Sequence, residues 1–372
     1  MIDASNPRNP VLAGSYHTGG FPLDIAVSGN LACMLDASNG LQLFDVSNPA
    51  SPALVGSWTT TNLAKRLTVA GKYAYVTHDA YYAKVGMSII DISDPVSPTN
   101  VASYSVSFTN VSIVDIIYTV HAGSIRVAGN YAYLTYGGVG QRYEFGDHSF
   151  GGWDIIDISN PANAVRVAQQ LDGDTLDIVL SGGYGYLTYY TQPYGYGYIC
   201  GGGICTYSAP QTGGLKVYEL SNPTNPVFKG AFETGVRHSA LDVSGNYAYL
   251  LGGAPGLRVL NITDPTNLVL AAMLNIDGYG FTHSSDFGYL ASGSEGLRIY
   301  CLDCPRLSAE SHGGDVLLRW PQSATNFVLQ TASALPASRW QTVAGTFQLT
   351  NGYNELLVPA SGPAGFFRLR EK

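Results

Sequence analysis

An all-β fold is what this sequence predicts, and three observations predict it. A turn signature, D-x-S-N-P-x-x-P with variants, returns along most of the chain: LFDVSNPASP at 43–52, IDISDPVSP from Ile90, IDISNPANA from Ile156, YELSNPTNP from Tyr218 and LNITDPTNL from Leu260. Between the turns lie aromatic and β-branched runs such as YAYV and GLRVL, the composition of buried strands. Only 12% of the residues are charged while glycine numbers 44 and tyrosine 26, a texture suited to many strands joined by tight turns.

The turn comes first because it sets the period. Its prolines fall at Pro7, Pro49, Pro95, Pro161, Pro223, Pro265 and Pro305, with gaps of 42, 46, 66, 62, 42 and 40 residues. A period near 40–45 filled with strand-like runs is the mark of four-stranded propeller blades. A catalytic group is needed once, whereas a turn is needed once per structural unit. The Asp and Ser of each D-x-S-N-P are therefore expected to hydrogen-bond the turn itself.

Within a unit the first strand, A, reads like LTVAG. A triplet such as SGN or AGK follows, its glycine supplying positive φ for a tight hairpin. Strand B reads like YAYVT and strand C like SIIDI, and strand D follows S-N-P-x-x-P. Six A–B–C sets occur, so residues 1–305 are expected to form a six-bladed β-propeller. Strand 10–16, PVLAGSY, has only MIDAS before it, and the last C strand, at 296–303, has no D strand after it in register. Strand 10–16 is therefore expected to complete the last blade, which closes the ring and removes two exposed edges. Past CLDCP the repeat stops. Residues 306–372 hold short alternating runs at 315–320, 325–331, 339–343, 353–358 and 365–370, which predict a small antiparallel β-sandwich.

The motifs D-[IV]-S-[ND]-P-x-x-P, V-x-G-x-Y-A-Y-[VL] and G-L-x-[VIL]-x-D resemble those of the LVIVD-repeat β-propeller family over about 1–305. The resemblance implies a secreted or surface-attached bacterial protein and assigns no reaction. The tail, ending near FFRL, resembles C-terminal modules of secreted bacterial proteins.

Composition narrows the partners. A net charge of −8 argues against nucleic acid and anionic membrane, which need basic surface. No apolar run approaches the length of a membrane span. Met1 runs at once into repeat sequence, which leaves two readings, a cytosolic protein or a chain whose signal peptide has been removed; the second, in an extracellular or cell-surface setting, is the expectation. The cysteines support that reading. Cys200 and Cys205 flank three glycines in YICGGGICTY, a stapled hairpin. Cys301 and Cys304 take the places of Asp45 and Asn48 in the turn, whose ends lie within disulfide reach. Cys33 aligns with the second tyrosine of YAY and reads as a buried thiol. Zinc is the rival for C-x-x-C, but no second half of such a site lies nearby.

The turns on one face of the propeller are uniformly tight. The opposite face holds the excess length, in loops at 105–124, 137–152 and 190–214, and long loops on a rigid scaffold carry function. These loops are rich in tyrosine and glycine, including Tyr194 and Tyr196, and suit sugar rings or protein surfaces. Aligning the A-strand starts makes Asp24, Arg66, Ser124, Asp177 and Ala240 equivalent. Lys65, His121, Arg237 and His238 lie close by, and the B-strand ends add His78, Asp79, Tyr136 and Tyr189. A funnel of His, Arg, Tyr and Asp can bind a polymer or do acid–base work on one.

Three functions follow as expectations. The first is a non-catalytic extracellular propeller that binds a glycan or surface protein, or self-associates. The second is a polysaccharide lyase or hydrolase, with His238 beside Arg237, or His78 beside Arg66, as base and charge-neutralising cation. The third is a fibril subunit that receives strand 10–16 from a neighbour. No nucleotide, serine-hydrolase or zinc-protease signature occurs. No cofactor is expected, although Asp172, Asp174 and Asp177 have a partial calcium-like spacing. Asn110-Val-Ser and Asn261-Ile-Thr match the glycosylation pattern, the second inside a structural turn.

Overall fold

The fold comes from a computed structural model that describes residues 1–3, 5, 10–60, 63–80, 84–107, 115–142, 146–191, 195–200, 203–208, 211–252, 256–284, 287–292, 296–301, 307–322, 327–333, 339–343, 347–359 and 365–371. It divides into two compact units, residues 1–283 with 289–299, and residues 284–288 with 300–372.

Strands β1 (Ile2–Asp3) and β2 (Val11–Leu12) form a short antiparallel pair. A first four-stranded sheet follows in chain order: β3 (Pro22–Ser28), β4 (Leu31–Asp36), β5 (Gly40–Asp45) and β6 (Ala53–Trp58). The second is β7 (Leu63–Ala70), β8 (Tyr73–Ala80), β9 (Lys84–Asp91) and β10 (Thr99–Ser107). The third is β11 (Asp115–Ala128), β12 (Tyr131–Arg142), β13 (Gly146–Asp157) and β14 (Val165–Gln170). In the fourth, β15 (Asp174–Ser181) and β16 (Tyr184–Thr191) are followed by a separate hairpin, β17 (Gly195–Cys200) and β18 (Gly203–Ser208). The sheet then resumes with β19 (Thr212–Glu219) and β20 (Val227–Glu233). The fifth is β21 (Ala240–Ser244), β22 (Tyr247–Leu251), β23 (Gly256–Asn261) and β24 (Val269–Asn275). The sixth is three-stranded, β25 (Gly280–Ser284), β26 (Phe287–Ser292) and β27 (Gly296–Cys301).

The sequence explains both kinds of turn. At the A–B turns Gly29, Gly71, Gly129, Gly182 and Gly245 all have φ between 53° and 59°, a left-handed region that a side chain would strain. At the C–D turns Asp45 accepts the Ser47 amide at 2.8 Å, and Asn48 accepts that of Ala50 at 3.2 Å. The same bonds recur at Asp91 and Asp94, at Asp157 and Asn160, and at Asn261 and Asp264. Those backbone donors hold the exposed carboxyls of Asp45, Asp157 and Asp264 below their usual range, with a hydroxyl donor from Thr266 foremost at Asp264. The repeated carboxylates are turn-formers, and the amide oxygen of Asn261 in the second sequon does the same work.

The core lies between successive sheets rather than inside any one. Leu35, Leu41 and Leu43 of the first sheet pack with Leu67, Val76 and Ile90 of the second. Equivalent clusters join the second to the third, the third to the fourth and the fourth to the fifth. Cys33 is buried in the first of these, and loss of solvent pushes its thiol up to about 11.

Two expectations meet a different arrangement. The excess length on one face is largely strand: β11, β12 and β13 continue to pair as far as Asp115 opposite Arg142 and Arg142 opposite Gly146, with register shifts in the β11–β12 ladder. Residues 195–200 and 203–208 pair as β17 and β18. Alternating Tyr and Gly in GYGYIC permit extended backbone, so these segments pair instead of looping. The second concerns strand 10–16. Val11 and Leu12 pair with Asp3 and Ile2, and among the described residues no pairing joins them to β27. Joining strands separated by seven residues costs less entropy than closing a loop of nearly three hundred. Consistent with an open seam, Ile25 and Val27 are 59% and 62% exposed, whereas Leu67, Ile125, Ile178 and Leu241, equivalent to Ile25, are 4% exposed or less.

In the second unit, β28 (Ser308–His312), β29 (Asp315–Pro321), β33 (Tyr353–Val358) and β32 (Gln348–Thr350) make one sheet. The other is β31 (Gln341–Thr342), β30 (Phe327–Ala332) and β34 (Phe366–Glu371). Leu318 and Trp320 from the first sheet and Leu329 from the second share one hydrophobic cluster.

Candidate functional site

The first strands of the six sheets, β3, β7, β11, β15, β21 and β25, surround one cavity of about 800 Å³. Local register puts polar groups into it. In each of the first four sheets the A–B ladder slips near the cavity mouth, between Pro22 and Asp24, Ala64 and Arg66, Ala122 and Ile125, and Thr175 and Ile178. A bulge of this kind re-aims side chains. Asp24, Arg66, Ser124 and Asp177 sit at or inside these slips and line the cavity. The fifth sheet has no slip there and contributes Ala240. Two residues further along the pleat, Arg126 and Asp242 also face inward.

The aspartates act as clamps between neighbouring sheets. Asp24 accepts the amide of Ile25 and that of Leu67 in the next sheet, at 2.9 Å each. Asp177 does the same for Ile178 and Leu241, and Asp242 for Val243 and His283. Asp79 takes the Ala122 amide at 2.7 Å while pairing with Lys65 at 3.0 Å. Burial raises the Asp24 carboxyl above its usual range in spite of these donors and the positive charges of Arg66 and Arg126. Arg126 is held by the Ser124 hydroxyl at 2.7 Å and by Asp177 at 3.4 Å. Arg66 projects into the cavity, exposed.

The remaining sequence candidates separate into a rim group and a buried group. At the rim, buried Asp174 meets His121 at 2.9 Å and Arg237 at 2.7 Å, and Arg237 lies 3.1 Å from the same imidazole nitrogen. Arg237 is half-exposed; with Lys65–Asp79 it is the accessible part of the candidate set. His238, by contrast, is 1% exposed, with Nε2 2.8 Å from the Thr234 hydroxyl. Burial, then the charge of Arg258, holds its imidazole down to about 4. His78 is buried as well, neither ring nitrogen has a hydrogen-bond partner among the described residues, and burial lowers its pKa. Tyr136 is fully buried and donates to Asp154 at 2.8 Å, where Tyr104 donates at 2.6 Å. Tyr189 donates to Glu233 at 3.0 Å under the Lys216 ammonium. These phenols are structural donors inside the sheets.

Asp172, Asp174 and Asp177 do not converge. Asp172 receives Lys216, Tyr218 and Trp153, while the other two serve the partners given above. Among the described residues no three His, Cys, Asp or Glu side chains are grouped to hold a metal. Tyr194, Cys304 and Asn110 lie outside the described residues, as do the side chains of Tyr196, Cys200, Cys205 and Cys301. The backbone of the Cys200–Cys205 hairpin is present, with Cys200 opposite Gly203 and Cys205 opposite Tyr198.

Serial antiparallel sheets, their first strands set around one cavity of mixed polar and apolar lining, define a β-propeller-like protein. LVIVD-repeat matches cover residues 1–18, 19–60, 63–106, 121–138, 149–168, 205–234 and 239–275. The chain belongs to the LVIVD-repeat family. Solved structures resemble it more loosely. The computationally designed Ika8 protein is 8% identical at a TM-score of 0.48, over 93% of this chain and 98% of that one. BamB from Moraxella catarrhalis is 10% identical at 0.44, over 78% and 85%. The β-propeller domain of Cps50 (Swd1) from Myceliophteria thermophila is 9% identical at 0.48, over 76% and 83%. At these scores the likenesses carry no functional argument. The comparison with curated proteins finds no match.

Proposed function

We propose that the protein is a non-catalytic, six-bladed β-propeller, acting outside the cell or on its surface, that binds a glycan or protein partner through the cavity mouth and the strands projecting beside it. The observation that carries this reading is the cavity lining. Equivalent positions on successive first strands carry Asp24, Arg66, Ser124, Asp177 and Ala240, so the repeat itself does not demand them. A lyase or hydrolase needs a base that reaches substrate. Burial withdraws both His238 and His78 from that role, and neither lines the cavity.

The exposed apolar side chains Ile25 and Val27 support ring closure, because the preceding sheet covers equivalent positions at every other junction described. Gly14 lies where a Cβ would meet the Pro49 carbonyl, as Gly56 does at Pro95 and Gly230 at Pro265. This shared contact supports reading segment 10–16 as the D-type strand of the last blade. Closure then consists of the sixth sheet engaging it. An extracellular setting goes with oxidised Cys200–Cys205 and Cys301–Cys304, for which intact-mass measurement would show four hydrogens fewer than the reduced chain.

The binding test is removal of residues 191–211, with capture measured on an array of glycans and surface extracts. Loss of capture with unchanged melting supports the reading. Retained capture by the deletion variant would contradict it.

A further inference from the structure

The cavity carries five charged groups, and four of them are already engaged. Asp24, Asp177 and Asp242 each accept one amide from their own sheet and one from the next. Arg126 is bonded to Ser124 and to the Ile125 carbonyl and pairs with Asp177. Arg66 differs. Its backbone N–H donates to the Thr77 hydroxyl at 3.0 Å, but the guanidinium's single hydrogen bond among the described residues is a long one, 3.5 Å, to the Lys65 carbonyl, and no ion pair reaches it there. An exposed guanidinium facing a shaped cavity is a ready fork for a carboxylate.

The surroundings restrict what that carboxylate belongs to. Three aspartates on the same walls repel a polyanion, so one negative charge fits better than two or three. The carboxylate lone pairs left over on the aspartates, with Ser124, Thr68 and Thr282, offer partners for several hydroxyls. Tyr279, Phe281 and Tyr289 provide an aromatic wall, and Tyr279 is 80% exposed. Aromatic faces with flanking acceptors suit the apolar face and hydroxyl edge of a sugar ring. The volume of about 800 Å³ accommodates one or two rings.

We propose, on the reading of the protein as a binder, that this cavity takes a sugar acid of mono- or disaccharide size, with its single accessible carboxylate held by Arg66 and its ring against Tyr279. The ligand class is an extracellular uronate or a uronate-ended glycan.

The test is titration calorimetry of the full chain with galacturonate, glucuronate and an aldobiouronate (one uronate linked to one neutral sugar), each carrying a single carboxylate, and with galactobiose as a neutral counterpart. Arg66→Ala and Arg66→Lys are titrated in parallel, with melting curves recorded for each. The expected result is saturable heat with at least one uronate. Arg66→Ala should weaken it about 10- to 100-fold, as loss of a charge-assisted contact implies. Arg66→Lys should fall between, and melting should not change, because Arg66 is exposed. Equal affinity in Arg66→Ala, or galactobiose binding as tightly as the acids, overturns the inference. Capture of a neutral glycan or a protein that is indifferent to Arg66 overturns the sugar-acid assignment and leaves the binding function standing. Absence of binding to every uronate and every array ligand overturns both.

Discussion

His238 gives the sharpest quantitative consequence of the fold. It is 1% exposed, and its imidazole is held from 6.5 down to about 4, first by burial and then by Arg258. Between those two values the unfolded chain binds a proton that the folded chain refuses. Folding stability from this group is therefore complete above about pH 6.5 and is lost as pH falls toward 4. Each pH unit across that window is worth about 1.4 kcal/mol, so the full loss is about 3 kcal/mol and the loss at pH 5 about 2 kcal/mol. His78, also lowered by burial, adds to the same trend. Urea unfolding of the wild type and of His238→Gln at several pH values from 7.5 to 4.5 isolates the contribution, because the readout is the difference in slope rather than in absolute stability. The variant should lose about 2.5 kcal/mol less than the wild type over that range. Parallel losses would mean that His238 is protonated in the folded state and accessible to solvent, which would refute the argument and restore it as a candidate base.

Other parts of the structure make separate predictions. Asp154→Ala strands Tyr104 and Tyr136, which donate to a fully buried carboxylate, and should cost about 3–5 kcal/mol in chemical denaturation; a cost below 1 kcal/mol would mean that water reaches the phenols. Gly56→Ala places a Cβ 2.0 Å from the Pro95 carbonyl oxygen, a backbone atom that cannot swing away, and should cost about 1–3 kcal/mol by the same assay. Deleting residues 1–16 removes the segment assigned to ring closure and should give aggregation or a large fall in melting temperature. A truncated chain that stays monomeric and melts unchanged would remove the closure model.

The legible part of the fold was whatever the chain repeats locally. Asp45, Asp91 and Asp157 were readable as turn-formers because a side chain bonding its own backbone two residues on needs no tertiary partner. Cys33 was readable as core because it shares a position with Tyr75 and Tyr133 on equivalent strands. The tyrosines at the B-strand ends were not readable in this way. Tyr136 and Tyr189 look like ligand platforms beside Arg66, yet their acceptors, Asp154 and Glu233, come from other strands 18 and 44 residues away. Arg126 and Asp242 escaped an alignment of strand starts, although the two-residue pleat period places them on the same face as Ser124 and Ala240. Asp174 was visible in the sequence as one of three spaced aspartates. Only the meeting of β11, β15 and the segment before β21 shows that it serves His121 and Arg237 rather than an ion.

The central claim is that the cavity binds without reacting. Incubating the full chain with a panel of neutral and uronate polysaccharides, while recording bound ligand by calorimetry and released product by reducing-end and 235-nm absorbance assays, tests it most directly. The account predicts saturable binding to at least one member and no product over the enzyme-free rate. Product that accumulates with the wild type and disappears with His238→Ala at unchanged melting temperature would contradict it.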